Sequence, residues 1–516
     1  MGLLGGSSDS VMSITTSAGS GKLLVLRMDG REYLGQLPEY RVDVVGNVNL
    51  LGVREQINLH SLLGTRANVT MDVHGVKREF NGYIVRMQRG ERHGRYEAFT
   101  LWMRPWTWFA TRSRNSRVFQ NKNVKDIVTE VLSAYSADYS WRLLLASLYK
   151  EMEYCVQYDE SDFDFVSRLL EDAGIYYFFE HTSTTHTMVL TDSMAKHRSK
   201  KSPDPIVWAN ALKQDSSIMN WHAQEEVRAV KATVRDHDYL ATATQIEASK
   251  SALPLHATAK LGSGEVYEFP ADVVRNQTRA QSQPAGPAAA EHARLRLEQL
   301  QSLQATYTGT TNAIDVACGA TFLLEKPSSP LESVNYLVVG MDFRAEYADH
   351  EAIEDLQSIR RRRDGFIADI VAINMTDGVF RSERRTPRPV MHGPQTALVV
   401  GATGNEIETD KHGRIRIQFP WDRLGEKNQN SSCWVRVAQP WAGKGMGLWT
   451  LPRIGHEVVV SFIGGDPDRP LVTGSVHNDA NPPIYELPRL AHTSGWRTHS
   501  TKEGGADMFH ELRFVD

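Results

Sequence analysis

The chain has 516 residues, which at roughly 150 residues per domain suggests about three domains. Hydrophobic residues make up 41% and charged residues 23%, so the composition is globular and excludes a collagen, a coiled coil or a wholly disordered chain. Lys and Arg total 58 against 62 Asp and Glu, and this net charge of −4 argues against a nucleic-acid partner, which requires a basic surface.

The N-terminal residues 1–20 are rich in Gly and Ser and lack the basic start and apolar stretch of a signal peptide. They are predicted to be a flexible leader, and the chain is expected to fold in the cytoplasm. No run of 18 apolar residues occurs, so we expect no membrane span and no stable membrane anchoring. The cysteines, Cys155, Cys318 and Cys433, are too few and too scattered for a disulfide framework or a zinc site.

Short runs of alternating apolar residues, separated by turn residues, fill the next eighty positions. This pattern predicts a β-rich domain. The clearest predicted strands are Leu23–Met28, Val69–Val73, Phe80–Val85 and Tyr96–Leu101.

Two amphipathic helices follow. Asn123 is the predicted N-cap of the first helix and Ser161 that of the second, each with an acidic residue three positions later. Gly174 is expected to end the second helix, and Ile175–Phe179 is predicted to be a buried strand. The apolar stripes consist of Val124, Ile127, Val128, Val131 and Leu132, and of Phe165, Val166, Leu169, Leu170 and Ala173.

A third helix is predicted from about Pro287 to Leu300. Residues 360–388, which include the Arg360–Arg363 run, hold eight arginines against four acidic residues. They fit a solvated strand edge and linker, or alternatively a contact surface for an acidic partner. Three prolines between Thr386 and Pro394 predict a hinge between domains.

After the hinge, about five short strands within some eighty residues predict a small closed barrel of the OB type. Ile415, Ile417 and Phe419 alternate with polar residues and are assigned to the core side. The predicted strands are Ala397–Val400, Ile415–Phe419, Trp434–Ala438, Val458–Ile463 and Leu471–Val476.

Each enzyme motif considered is incomplete or absent in this sequence, so no catalytic, cofactor-binding or metal-binding residue is predicted. The three His-Glu pairs lack a second histidine four residues after the first, which a helical zinc site requires. Gly19–Lys22 resembles the end of a phosphate loop but continues with Leu23. No G-x-S-x-G sequence occurs.

Large aromatic residues exceed what small barrels can bury, and such a surplus is typical of a subunit interface. For the cluster Trp102, Trp106, Trp108 and Phe109, a core or subunit-interface role is favoured over a ligand-stacking role. The candidates for a subunit interface are Trp102, Trp106, Trp434, Trp441 and Trp449.

Specific segments then resemble one family. Tyr154–Tyr158, Glu160–Leu170 and Gly174–His181 resemble the hub signature of the VgrG family, the spike proteins of bacterial type VI secretion systems. In the barrel, Thr409–Arg414 and Gly465–Pro470 resemble the same family. Further matching segments are Ser431–Val437, Gln439–Gly445 and Pro452–Gly455.

The resemblance implies a mainly β fold, with two hub β-barrel-like domains and interposed helices followed by an OB-fold barrel, in a homotrimer. The implied organisation is a leader at 1–20, a hub at 21–385, a linker at 386–394, the OB fold at 395–485 and the start of a C-terminal needle at 486–516. Family members continue into that needle, which carries a PAAR cap, so the cap is not expected to bind these residues.

The resemblance further implies docking on the hexameric Hcp tube, carriage of effector or adaptor proteins, and export through type VI secretion. Two alternatives remain open. One is the base of an enzymatic spike with a C-terminal toxin, and the other is an OB-fold nucleic-acid binder, which would need exposed aromatics among basic residues.

Overall fold

The computed structural model describes most of the chain. The described residues are 11–46, 57–93, 96–144, 149–211, 216–252, 264–274, 285–327, 329–346, 365–502, 504–505 and 507–516.

The first hundred residues form a barrel-like sheet, because their apolar residues alternate and every second side chain points inward. The strands are β1 (Met12–Thr16), β2 (Gly19–Ser20), β3 (Leu23–Tyr33), β4 (Glu39–Gly46), β5 (Arg66–Val73), β6 (Val76–His93) and β7 (Tyr96–Arg104). A short helix, α1 (Leu59–Leu62), precedes β5. Antiparallel pairing runs in the order β3-β4-β7-β6-β5-β1-β2, and β1 also contacts β3.

A helical layer with two small sheets follows. Its elements are β8 (Arg114–Phe119), α2 (Val124–Ser133), β9 (Tyr139–Arg142), β10 (Cys155–Ser161), α3 (Asp162–Asp172), β11 (Tyr176–His181) and β12 (His186–Thr191). The Asn123 and Ser161 side chains accept hydrogen bonds from the backbone N–H groups of Asp126 and Asp164, as predicted. Gly174 has φ +69° and ends α3, also as predicted.

The described residues between 198 and 374 form a second barrel with an inserted subdomain. The strands are β13 (Arg198–Ser199), β14 (Ile206–Trp208), β15 (Ser217–Glu225), β16 (Lys231–Asp236), β17 (Ile246–Ser251), β18 (Glu265–Glu268), β19 (Ala305–Thr311), β20 (Ala320–Glu325), β21 (Asn335–Glu346) and β22 (Gly365–Asn374). Strands β20-β14-β15-β19-β22-β21 close on themselves through a β20–β21 pairing. The insert packs β17-β16-β18 against helix α4 (Ala285–Gln301).

The two barrels share one fourteen-stranded sheet, because β3 pairs with β21. At this seam each strand places a glycine opposite an aromatic residue of the other. A Cβ on Gly30 would lie 2.2 Å from the Phe343 ring, and one on Gly340 would lie 2.4 Å from the Tyr33 ring. The glycines therefore let the rings lie flat across the seam, and one hydrophobic core spans both barrels.

The C-terminal barrel consists of β23 (Gln395–Val400), β24 (Arg416–Gln418), β25 (Arg436–Val437), β28 (Glu457–Phe462) and β29 (Pro470–Val476). The order β24-β23-β28-β29-β25 closes through a bridge between Ile415 and Val435. Two hairpins complete the chain, β26 (Trp441–Gly443) with β27 (Met446–Leu448), and β30 (Thr493–Arg497) with β31 (Glu511–Val515).

The predicted fold class is confirmed, since the chain is mainly β and combines a hub with an OB barrel. The leader prediction is wrong for residues 12–20, because β1 adds to the sheet and buries Met12 and Ile14. Residues 1–10 and the Arg360–Arg363 run lie outside the described residues. The strand predicted at Trp434–Ala438 is shorter, and only Arg436–Val437 is a strand.

Candidate functional site

One exposed apolar surface lies on the β26–β27 hairpin of the C-terminal part of the chain. Trp441 pairs with Leu448 and Gly443 pairs with Met446 in the β26–β27 hairpin, so the three large side chains share one face. Trp441 and Met446 are each 61% exposed, and neighbouring Trp449 is also 61% exposed. Contiguous exposed apolar residues of this size are typical of a protein–protein interface.

A second apolar face lies on the β30–β31 hairpin. Trp496 is opposite Leu512 and Ser494 is opposite Phe514, so the three apolar side chains point to the same side. Each of them is more than half exposed. On the other side of the hairpin, Glu511 accepts hydrogen bonds from Tyr485 and Arg497.

The five tryptophans proposed from the sequence do not form one group. Trp441 and Trp449 lie on the exposed hairpin surface. Trp434 and Trp102 are half-buried, and each has an arginine guanidinium over its ring. Trp106 is 1% exposed and packs in the core of the helical layer, so its side chain is not available to a partner in this structure.

Sequence analysis missed Trp496, Leu512 and Phe514 as surface candidates. The alternation of apolar and charged residues in Glu511–Phe514 could have indicated them, because alternation in a short strand produces one apolar face.

The OB barrel is fixed to the hub by buried polar contacts. The Asp468 carboxylate accepts a hydrogen bond from the backbone N–H of Val156, with 2.6 Å between the atoms. Gln395 donates to the Tyr158 hydroxyl at 2.8 Å, and the Trp421 ring meets the Tyr158 ring edge-on at 5.5 Å. These contacts orient the exposed hairpins relative to the hub.

The segment predicted to be a hinge is also fixed. The backbone N–H and hydroxyl of Thr386 donate to Glu171, and Arg388 forms ion pairs with Asp172 and Asp272. Arg469 of the OB barrel also forms an ion pair with Asp272, with 2.8 Å between nitrogen and oxygen. Two more arginines of the basic segment bind acidic residues of the helices. These pairs are Arg381–Glu298 and Arg384–Asp172.

The described part of the chain contains no group of three His, Cys, Asp or Glu side chains placed to hold a metal ion. No described helix has the length and apolar character needed to cross a membrane. Cys155 and Cys318 are buried and Cys433 is partly buried. Burial raises the pKa of the Cys318 and Cys433 thiols.

Buried polar residues also meet between the two hub barrels. The Arg78 guanidinium donates to both oxygens of Glu32 at 3.0 Å, and Tyr40 donates to Glu32 while its hydroxyl also lies 3.1 Å from His181 Nε2. Burial, with the nearby charge of Arg78, lowers the pKa of His181 to about 3. A small pocket borders Glu32, Tyr40, His181 and Cys318. Because these polar groups bind one another, we interpret the cluster as structural.

Known families match both parts of this architecture. Residues 31–349 match the family described as phage tail baseplate hub (GPD). Residues 396–477 match the type VI secretion system/phage-baseplate injector OB domain. The type VI secretion system spike protein VgrG1a of Pseudomonas aeruginosa is 35% identical over 517 residues, which cover 98% of this chain and 75% of that protein.

The chain belongs to the VgrG family.

A second relative is the spike protein VgrG1b of Pseudomonas aeruginosa, 33% identical over 98% of this chain and 65% of that protein. The chain thus spans about two thirds of the length of this VgrG relative. Among solved structures, an E. coli component of the type VI secretion system, similar to the T4 tail proteins gp27 and gp5, matches with a TM-score of 0.61. That match has 18% identity and covers 90% of this chain and 99% of the other, so it supports the fold alone.

The segments that resemble the VgrG hub signature contain buried ion pairs. Arg168 on α3 donates to Glu160 and to the backbone carbonyl of Val156, and its side chain is 3% exposed. Asp162, also in the signature, accepts from Arg117 and Tyr135. These VgrG residues therefore connect α3 to its neighbouring strands, which is a structural role.

The barrel segment that resembles VgrG links the barrel to the hub insert. Asp410 binds the Arg414 guanidinium, which also donates to the Tyr239 hydroxyl at 2.8 Å. Arg436 stacks over the same tyrosine ring at 4.2 Å. Ile415 and Ile417 point into the barrel core.

Proposed function

We propose that this chain is a structural hub and tip component of a type VI secretion apparatus and acts as a homotrimer without catalytic activity. The observation that carries the proposal is the exposed apolar surface of the C-terminal barrel, which includes Trp441, Met446 and Trp449. A protomer that exposes this much apolar area gains stability when other copies cover it.

In the proposed trimer the OB barrels lie at the threefold axis and the hub barrels lie outside them. Each protomer supplies two barrels joined by the β3–β21 seam, and three protomers supply six. Six similar barrels match the symmetry of a six-membered tube, so we place the Hcp hexamer against the hub. Effector or adaptor proteins are the proposed cargo, and no contact with a PAAR cap is proposed for residues 1–516.

The proposed route out of the bacterial cytoplasm is the secretion apparatus itself. In this proposal the chain is driven together with the tube into the medium or a target cell. The ion pairs between linker, hub and insert suit this role. A barrel fixed to its hub at Asp468, Arg388 and Arg469 transmits axial force without turning at the linker.

A chimera tests this function. Residues 1–516 replace the matching part of a full-length VgrG relative in a strain that lacks its own copy, and export of Hcp to the medium is measured. We expect export to be restored, and we expect a chimera with Trp441→Ser and Trp449→Ser to fail. If the chimera accumulates as folded protein but exports no Hcp, the hub role is wrong.

A further inference from the structure

The outer face of the first barrel carries arginines stacked on tryptophans. Trp102 on β7 lies opposite Arg86 on β6, and the Arg86 guanidinium carbon lies 4.3 Å from the centre of the indole ring. Arg112 follows β7 in the chain and stacks in the same way on Trp108, with its guanidinium carbon 4.5 Å from the centre of that ring. Arg86 and Arg112 are both exposed.

The two stacked pairs are joined by further side chains. Arg104 lies two residues after Trp102 on the same side of β7 and opposite Tyr83. The Tyr83 ring meets Phe109 edge-on at 5.3 Å, and Phe109 in turn meets Trp108 at 5.6 Å. Burial and then the nearby charge of Arg112 lower the pKa of Arg104. We call Arg86, Trp102, Arg104, Trp108 and Arg112 the Arg–Trp face.

Two of its three arginines have no counter-ion in the described chain. Arg104 pairs with Glu39. No carboxylate among the described residues lies within ion-pair distance of Arg86 or Arg112, although most other arginines of the hub have one. A guanidinium held flat on an indole ring keeps its N–H edge available, and that edge matches the two oxygens of a carboxylate.

We propose that the Arg–Trp face binds an acidic segment of a second protein, with Arg86 and Arg112 each receiving a side-chain carboxylate. Charge complementarity identifies the occupant. A nucleic-acid backbone would need an extended basic surface, whereas this face offers two arginines without a counter-ion among the described residues, and its third arginine is already paired with Glu39. The face is also charged, unlike the apolar hairpins of the C-terminal barrel, so a further copy of this chain is not the proposed occupant.

Binding of a fluorescein-labelled octaglutamate peptide to the full chain, followed by anisotropy at ~0.05 M salt, tests the proposal. We expect saturable binding that weakens about tenfold or more in Arg86→Glu/Arg112→Glu. Arg86→Lys/Arg112→Lys keeps the charge but loses the planar edge, so it should weaken binding several-fold. The matched control is Lys250→Glu/Lys326→Glu, which makes the same charge change at exposed sites elsewhere and should bind within about twofold of the unsubstituted chain.

Four results would overturn the proposal. The first is no saturable binding of the peptide, and the second is an equal loss in the control variant. The third is binding of a fluorescein-labelled single-stranded octathymidylate that is as tight as binding of the peptide. That result would indicate a surface that binds anions without preference for protein. The fourth is a change in native mass for Arg86→Glu/Arg112→Glu with unchanged circular dichroism, which would make the face a subunit interface.

Discussion

Asp468 Oδ1 accepts a hydrogen bond from the backbone N–H of Val156 at 2.6 Å, although the two residues are 312 positions apart in the chain. Asp468 belongs to the OB barrel and Val156 to β10 of the hub, and both are buried. This contact joins the OB barrel directly to the hub, so its loss should lower the stability of the whole chain.

We expect Asp468→Ala to lower the free energy of unfolding by about 1–3 kcal/mol, because the buried Val156 N–H loses its acceptor. Asp468→Asn is the matched control, since its amide oxygen can still accept and its effect should be smaller. Thermal unfolding with limited proteolysis of the linker measures both. Equal stability of the alanine variant and the unsubstituted chain would contradict the assignment.

Breaking the buried Arg78–Glu32 ion pair of the first hub barrel should be costly. Arg78 and Glu32 have side chains only 7% and 9% exposed, so Arg78→Met leaves a buried carboxylate without its partner. We expect a loss of about 3–5 kcal/mol in urea unfolding. Arg78→Met combined with Glu32→Gln removes both charges and should recover part of the loss. A double variant less stable than Arg78→Met would show that the pair is not coupled.

Stability should fall as the pH falls below the ordinary histidine pKa. Burial lowers the pKa of His186 to about 3 from 6.5, and the pKa of His181 falls to about 3 in the same way. The unfolded chain therefore binds protons that the folded chain does not, and the free energy of unfolding drops by about 1.4 kcal/mol per pH unit for each such group between pH 6.5 and about 3.

The matched variant for this prediction is His186→Asn, which removes one titrating group. Urea unfolding at pH 7.0 and 5.5 should show a smaller drop for the variant than for the unsubstituted chain. An identical drop in both proteins would show that His186 is not buried in its neutral form.

The local elements could largely be predicted from the sequence, because their signals are local. The caps Asn123 and Ser161 and the stop at Gly174 satisfy backbone groups within one helical turn. Alternation likewise placed Ile415, Ile417 and Phe419 in the barrel core.

Long-range pairing could not be predicted in this way. Nothing in the composition of residues 12–20 distinguishes a leader from β1, because β1 is stabilised by pairing with β5, more than fifty residues later in the chain. The contacts of the predicted linker could not be foreseen for the same reason, since Glu171 and Asp272 bind it from distant positions in the chain. The local sequence does not show that Trp106 is buried, because its burial depends on tertiary packing in the core of the helical layer.

The OB barrel should not bind single-stranded nucleic acid. Its strand β24 directs Ile417 inward, and Arg414 is held by Asp410 and Tyr239 instead of facing solvent. We expect fluorescence anisotropy with random oligonucleotides at ~0.15 M salt to show no saturable binding. Binding tighter than about 1 μM would instead support the nucleic-acid alternative.

The native mass of the full chain tests the proposed trimer most directly. Light scattering at tens of micromolar protein should give three times the chain mass of 58.0 kDa, or about 174 kDa. Trp441→Ser/Trp449→Ser should shift the mass towards 58.0 kDa with unchanged circular dichroism, because it removes two of the most exposed rings of the apolar surface. A strictly monomeric or dimeric unsubstituted chain, or a variant that remains trimeric, would contradict assembly through this surface.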